Sequence, residues 1–195
     1  MRLLGKLLVI LSAQLAMTLP AKAWNGLRYS LDWGYMASVY QTYRYNYIAE
    51  EEFRVEQHGS SFFLNSNGLV KLFVGTTIGR HAELGMFSGY EGIRQDRRAV
   101  PLGLRAGWAF RGLNTDGPMC YAEGGAALHK DCATSGLGAA GLGWHCQLDH
   151  GCGLDFKVGV NVCGDHPPIK GVSTESLRKS DALYSGISFT VGLCF

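Results

Sequence analysis

Gly186-Ile187-Ser188-Phe189-Thr190-Val191-Gly192-Leu193-Cys194-Phe195 closes the chain, and its two parities differ in chemistry. Ile187, Phe189, Val191, Leu193 and Phe195 are apolar and large, whereas Gly186, Ser188, Thr190, Gly192 and Cys194 are small or polar. Successive side chains of a strand point to opposite faces, so this is a strand with one greasy face and one slim, polar face.

The same parity recurs in seven earlier segments, 27–39, 70–78, 83–91, 100–110, 119–128, 140–146 and 154–162. In the sharpest, Val100, Leu102, Leu104, Ala106, Trp108 and Phe110 alternate with Pro101, Gly103, Arg105, Gly107 and Ala109. Eight such segments predict an all-β fold, an eight-stranded antiparallel up-and-down barrel. The less apolar faces carry charge of both signs set among glycines. A barrel of eight strands has an interior only wide enough for side chains, so Asp32, Lys71, Glu83, Arg105, Glu123, Asp155 and Lys157 are expected to form a polar network in the lumen. The opposite faces, rich in Leu, Val, Trp and Tyr, would then meet lipid.

The connections between these segments are expected to alternate in length, with 41–67, 91–98, 129–137 and 163–181 at one end and 79–82, 111–118 and 147–152 at the other. Transmembrane barrels alternate long outer loops with short periplasmic turns. Aromatics mark both levels: Trp108, Phe110, Trp144 and Phe195 near the periplasmic ends, and Tyr43, Tyr45 and Tyr90 near the outer ends.

Residues 1–23 read as a secretory signal peptide. Arg2 and Lys6 precede an apolar run from Leu7 to Leu19, and Ala21-Lys22-Ala23 is a small-x-small cleavage site. That run falls short of the roughly 20 residues a membrane-spanning helix needs, and no longer one follows. The 195-residue chain has 18 Lys+Arg against 16 Asp+Glu, for a formal +2. Cleavage near Ala23 removes Arg2, Lys6 and Lys22, leaving 15 bases and 16 acids in residues 24–195, the expected barrel domain. Such a near-neutral chain has no global field to attract nucleic acid. A mean hydropathy of +0.02 is typical of a soluble domain, yet it averages two faces of opposite character.

The leader, the alternating strands and the ending Phe189-Thr190-Val191-Gly192-Leu193-Cys194-Phe195 resemble a small Gram-negative outer-membrane β-barrel protein. Val100-Pro101-Leu102 and Ala122-Glu123-Gly124-Gly125 are similar in style to porin-like barrels of Bacteroidetes-type organisms, the outer membrane protein β-barrel domain family. The resemblance covers essentially 27–195. It implies localisation in the cell outer membrane, contact with membrane lipids and lipopolysaccharide, and an assembly signal at Phe189, Val191, Leu193 and Phe195 read by the barrel-assembly machinery.

Six cysteines, Cys120, Cys132, Cys146, Cys152, Cys163 and Cys194, lie in the C-terminal half of an exported chain, where disulfides are permitted. Cys146 and Cys152 flank one short connection and Cys132 and Cys163 lie at outer ends, so these are the two candidate pairs. No Cys-x-x-Cys occurs and the histidines are scattered, so neither a metal site nor any other cofactor is expected. Arg94, Arg97 and Arg98 are candidates for lipopolysaccharide phosphate contact. His58, His81, His129, His145, His150 and His166 could supply a base, and Ser60, Ser61, Ser88 or Ser135 a nucleophile, but there is no Gly-x-Ser-x-Gly elbow. The expectation is a non-enzymatic structural, surface-interaction or narrow-pore barrel. The alternatives are an outer-membrane lipase or acyltransferase and a soluble lipocalin-like binding barrel.

Overall fold

The computed structural model of the protein describes residues 26–48, 53–94, 97–130, 133–148, 151–167 and 177–195. The expected leader, His150 and Cys132 lie outside the described residues. Eight strands follow in order: β1 (Leu27–Ile48), β2 (Arg54–Ile78), β3 (Ala82–Arg94), β4 (Arg97–Ala109), β5 (Gly117–His129), β6 (Ser135–Gln147), β7 (Gly153–Asp165) and β8 (Leu177–Cys194). Each pairs antiparallel with the next, and β8 returns to β1, giving a closed barrel. The ring is sealed where Phe195 and Tyr29 exchange backbone hydrogen bonds of 2.9 and 3.1 Å.

Strand stagger follows from the register. Directly paired residues lead from Ser30 to Phe73, Phe87, Gly103, Gly125, Leu137, Cys163 and Tyr184, and return to β1 at Gln41 instead of Ser30. A closed sheet staggered in this way must tilt its strands against the barrel axis. Register shifts interrupt β1 between Ser38 and Tyr40 in its pairing with both neighbours, and between Asn46 and Tyr47 in its pairing with β8.

The β2–β3, β4–β5 and β6–β7 connections define the turn end, where β1 begins and β8 stops. Gly79 and Gly151 there adopt φ of 68° and 81°, a left-handed backbone that a side chain would strain. The opposite end is the loop end, and it corrects the expected connection lengths. Most of 41–67 is strand, as are much of 91–98 and the flanks of 163–181, so the long-short alternation is absent. The polar and aromatic residues of 40–48 and 54–66 still alternate and still pair with each other, and ladder hydrogen bonds continue wherever a partner is available.

This extension builds a second feature. β2 pairs with β3 only from Leu69 onward, whereas it pairs with β1 back to Arg54. β8 likewise pairs with β1 beyond its last contact with β7 at Ala182. A three-stranded flap, β8–β1–β2 with β1 in the middle, therefore rises past the wall at the loop end. Among the described residues no strand pairs with the outer edge of 54–68.

Candidate functional site

The inward positions of the wall hold the charges. Asp32, Lys71, Glu83, Arg105, Glu123, Asp155 and Lys157 are all buried in the lumen, joined there by Arg28, Glu91, His145 and Asp165. Glycines make the space: a Cβ on Gly192 would lie 2.1 Å from Asp32 Oδ1, which sits directly across the ladder.

Arg105 is the hub. Its Nη2 lies 2.7 Å from Asp32 Oδ2 and 2.6 Å from Glu123 Oε1, while its Nε donates to the same Glu123 oxygen at 2.7 Å. Lys71 donates to Glu123 Oε2 at 2.6 Å and approaches Glu91 at 3.6 Å. Lys157 lies 2.9 Å from Asp32 and 3.3 Å from Asp155. The faces of Phe73 and Phe87 flank these cations, with the Arg105 guanidinium 5.1 Å from the Phe73 ring centre and Lys71 Nζ 5.2 Å from that of Phe87. Every charge in this layer has an opposite partner, which is how buried ions are tolerated. The space left among them is a cavity of about 10 Å³, at the threshold for a single water.

Other layers close the lumen above and below. Toward the loop end Ile93, Ala99, Ala127, Cys163, Ala182 and Tyr184 form an apolar seal against which Tyr43, Phe63 and Leu137 pack. Tyr43 thus turns inward instead of joining an outer girdle. Toward the turn end Arg28 pairs with Glu83 at 2.8 Å and donates to the Leu113 carbonyl at 3.1 Å. His145 lies 2.6 Å from Asp155, with the buried Cys194 thiol beside both.

The loop-end mouth gathers residues that sequence reasoning had scattered. His129 Nε2 lies 2.9 Å from Ser135 Oγ, and His129 Nδ1 lies 3.7 Å from Asp165 Oδ1. Ser135 donates its proton to the Gly164 carbonyl at 2.5 Å, and Arg97 grips both Asp165 oxygens at 2.8 and 2.5 Å. This corrects the surface role given to Arg97, whose guanidinium is committed inside the mouth. Arg98 faces outward and is exposed, and the Arg94 side chain lies outside the described residues. A crevice of about 480 Å³ opens beside the mouth, lined by Thr42, Arg44, Ser135, Asp165, His166 and Asp181. His58, Ser60 and Ser61 lie on the flap, exposed. His81 stacks on Trp108 at the turn end, with ring centres 5.5 Å apart. His58, His81 and Ser88 are not brought together with one another.

The Cys146–Cys152 candidate is also corrected, whereas Cys132, the other half of the second candidate pair, lies outside the described residues. Cys146, Cys152 and Cys163 are free thiols. Cys146 is paired across the ladder with Leu154, not Cys152, which lies in the turn with its carbonyl tied to Leu148 N at 2.8 Å. Cys163 points into the apolar seal.

The outer wall is the converse of the lumen. From Leu27 to Val39 on β1, and at the matching outward positions of the other strands, Arg98 is the one charged residue among those described. Trp33, Val191, Phe156 and Trp144 stand directly opposite one another across β1, β8, β7 and β6. Leu104 and Leu142 are 58% and 68% exposed. Phe189, Val191, Leu193 and Phe195 share this parity, and Phe189 is the most exposed among them. On the flap Phe62 and Leu64 are 82% and 80% exposed, Tyr43 stacks on Tyr45, and Arg44 pairs with Glu56 at 2.9 Å, which holds the Glu56 carboxyl below its usual range.

No family model matches the chain, and no curated protein matches it. Among solved structures it is similar to the Salmonella SPI-1 type III secretion injectisome secretin InvG (residues 176–end, open gate state), with 7% identity and a TM-score of 0.25. That likeness covers 97% of this chain and 64% of the secretin chain, so the protein spans less than two thirds of it.

Proposed function

We propose that the protein is an outer-membrane barrel with a non-enzymatic structural and surface-recognition role. One observation carries this reading: apart from Arg98 the charges of the wall lie inside, and its outward face is predominantly apolar all the way round. Soluble monomers rarely expose a contiguous apolar patch beyond a few hundred Å², which disfavours the lipocalin-like alternative. Five strands have 13 residues, and a tilted strand needs about 9–11 to cross a bilayer. The packed lumen argues against a pore. The flap, with its free β2 edge and its exposed Phe62 and Leu64, would stand above the membrane and offer a partner main-chain hydrogen bonds. Arg98 would lie at the lipopolysaccharide headgroup level.

The test is fractionation followed by electrophysiology. The protein is expected to need detergent for extraction, to change gel mobility on boiling, and to give no conductance steps in planar bilayers. Recovery in the soluble periplasmic fraction would sink the membrane reading, and discrete conductance steps would sink the closed lumen.

A second reading, a lipid hydrolase, is favoured only by the meeting of Ser135, His129 and Asp165, a nucleophile, base and orienting acid in relay order. Two contacts oppose it: the Ser135 proton is given to Gly164, and Asp165 is engaged by Arg97. The expected result is no turnover of phospholipid or lipid A by the wild-type protein. Turnover that disappears in both Ser135→Ala and His129→Ala would establish the hydrolase instead.

A further inference from the structure

We propose that His145, Asp155 and Cys194 form a binding site for a divalent transition-metal ion of the zinc class. The three come from neighbouring strands β6, β7 and β8 and all face inward near the turn end. His145 and Asp155 are direct ladder partners, and Cys194 is paired with Gly153, two residues from Asp155 on the same face. One donor atom from each lies within 4.8 Å of the other two, and all three residues are buried. Gly153 is what allows the cluster, because a Cβ there would lie 2.4 Å from His145 Cε1 and 2.9 Å from Cys194 Sγ.

The donor set is an imidazole nitrogen, a carboxylate oxygen and a thiol sulfur that binds as thiolate once its proton has left, the ligand types of zinc. Their separations are 2.6 Å for Nδ1 to Oδ1, 3.9 Å for Sγ to Nδ1 and 3.7 Å for Sγ to Oδ1. Bond lengths of about 2.0–2.3 Å in a tetrahedron put ligand atoms roughly 3.3–3.6 Å apart. The sulfur has a few tenths of an ångström to close, and the nitrogen and oxygen must open from hydrogen-bond distance.

The surroundings already orient each ligand. Gln147 Nε2 donates to the carbonyls of Leu148 and Cys152, both at 3.0 Å, so its Oε1 is the atom that faces His145 Nε2 at 3.3 Å. An acceptor there calls for the Nε2–H tautomer, which turns the Nδ1 lone pair toward the Asp155 carboxylate. Two acceptors 2.6 Å apart require a cation between them, a proton or a metal. Lys157 holds the other Asp155 oxygen at 3.3 Å, leaving Oδ1 for the ion. Such outer contacts are the usual support of a metal-bound histidine and carboxylate. Binding is a proton exchange: the ion enters, and the thiol proton and the proton shared by Nδ1 and Oδ1 leave to solvent.

The experiment titrates cobalt(II) into the purified chain, refolded after chelator treatment, and follows its absorption. One equivalent is expected to produce intense tetrahedral d–d bands and a thiolate-to-cobalt charge-transfer band, both erased by zinc. Cys194→Ser, close to isosteric, should remove the charge-transfer band while the β-sheet circular dichroism is unchanged. A variant with the other five cysteines changed to serine should keep it. Gln147→Leu should weaken cobalt binding by about 10- to 100-fold. No charge-transfer band in the wild type, or a band that survives Cys194→Ser, overturns the site.

Discussion

Replacing Arg105 with leucine is expected to destabilise the barrel by about 3–5 kcal/mol, measured as a fall in the urea midpoint of protein folded in detergent or lipid. The size follows from what remains. Asp32 and Glu123 both lose the cation that each contacts within 2.7 Å, and both carboxylates stay buried in the lumen. Lys157 and Lys71 remain beside them, so the layer shifts from near balance to an excess of negative charge. Arg105→Lys should lose part of the same amount, because a point ammonium cannot span two carboxylates as the guanidinium fork does. A triple variant, Asp32→Asn, Arg105→Leu, Glu123→Gln, should recover part of the loss, since the two carboxylates are neutralised together with their cation while Lys71 keeps Glu91 and Lys157 keeps Asp155. Arg44→Leu, which breaks only an exposed pair on the flap, is the control and should leave the midpoint where it was. A loss of under about 1 kcal/mol for Arg105→Leu would mean that water reaches the lumen and the network is screened.

How much of this was legible follows from what parity can encode. Period-two alternation placed Arg105, Glu123 and Lys71 on one face because the side-chain period of a strand is fixed by its backbone. The same alternation put His145, Asp155 and Cys194 inside, but that they touch depends on strand stagger. Stagger is set by turns and closure, so spacings of 10 and 39 residues carry no metal signature. The paired mouth residues Arg97 and Asp165 are 68 apart and were hidden for the same reason. The flap was half visible. Tyr40 to Tyr47 is rich in residues that favour strands, yet its polar alternation marks no core face, and a stretch without a buried face has no register signal in sequence. Cys146 and Cys152 misled for a related reason: proximity along the chain said nothing about which residue of the next strand stands opposite.

The second large effect belongs to the outer wall. Leu104→Arg places a guanidinium on the exposed face of β4, midway between Val100 toward the loop end and Trp108 toward the turn end. Leu104 is one residue from Arg105 and points the opposite way, so the substitution adds a charge outside without touching the lumen network. At the middle of a bilayer an outward Arg costs about 2–4 kcal/mol, falling to about 0–1 near the interfaces. An exposed position in water tolerates most changes within about 0.5 kcal/mol. The expected result in lipid vesicles is therefore a large loss for Leu104→Arg and a small one for Val100→Arg. If the wall faced water, the two variants would be alike and both small. The depth profile itself is the measurement, because a packing defect would follow the size of the side chain at each position and not its depth, whereas a lipid penalty rises toward the middle of the hydrocarbon.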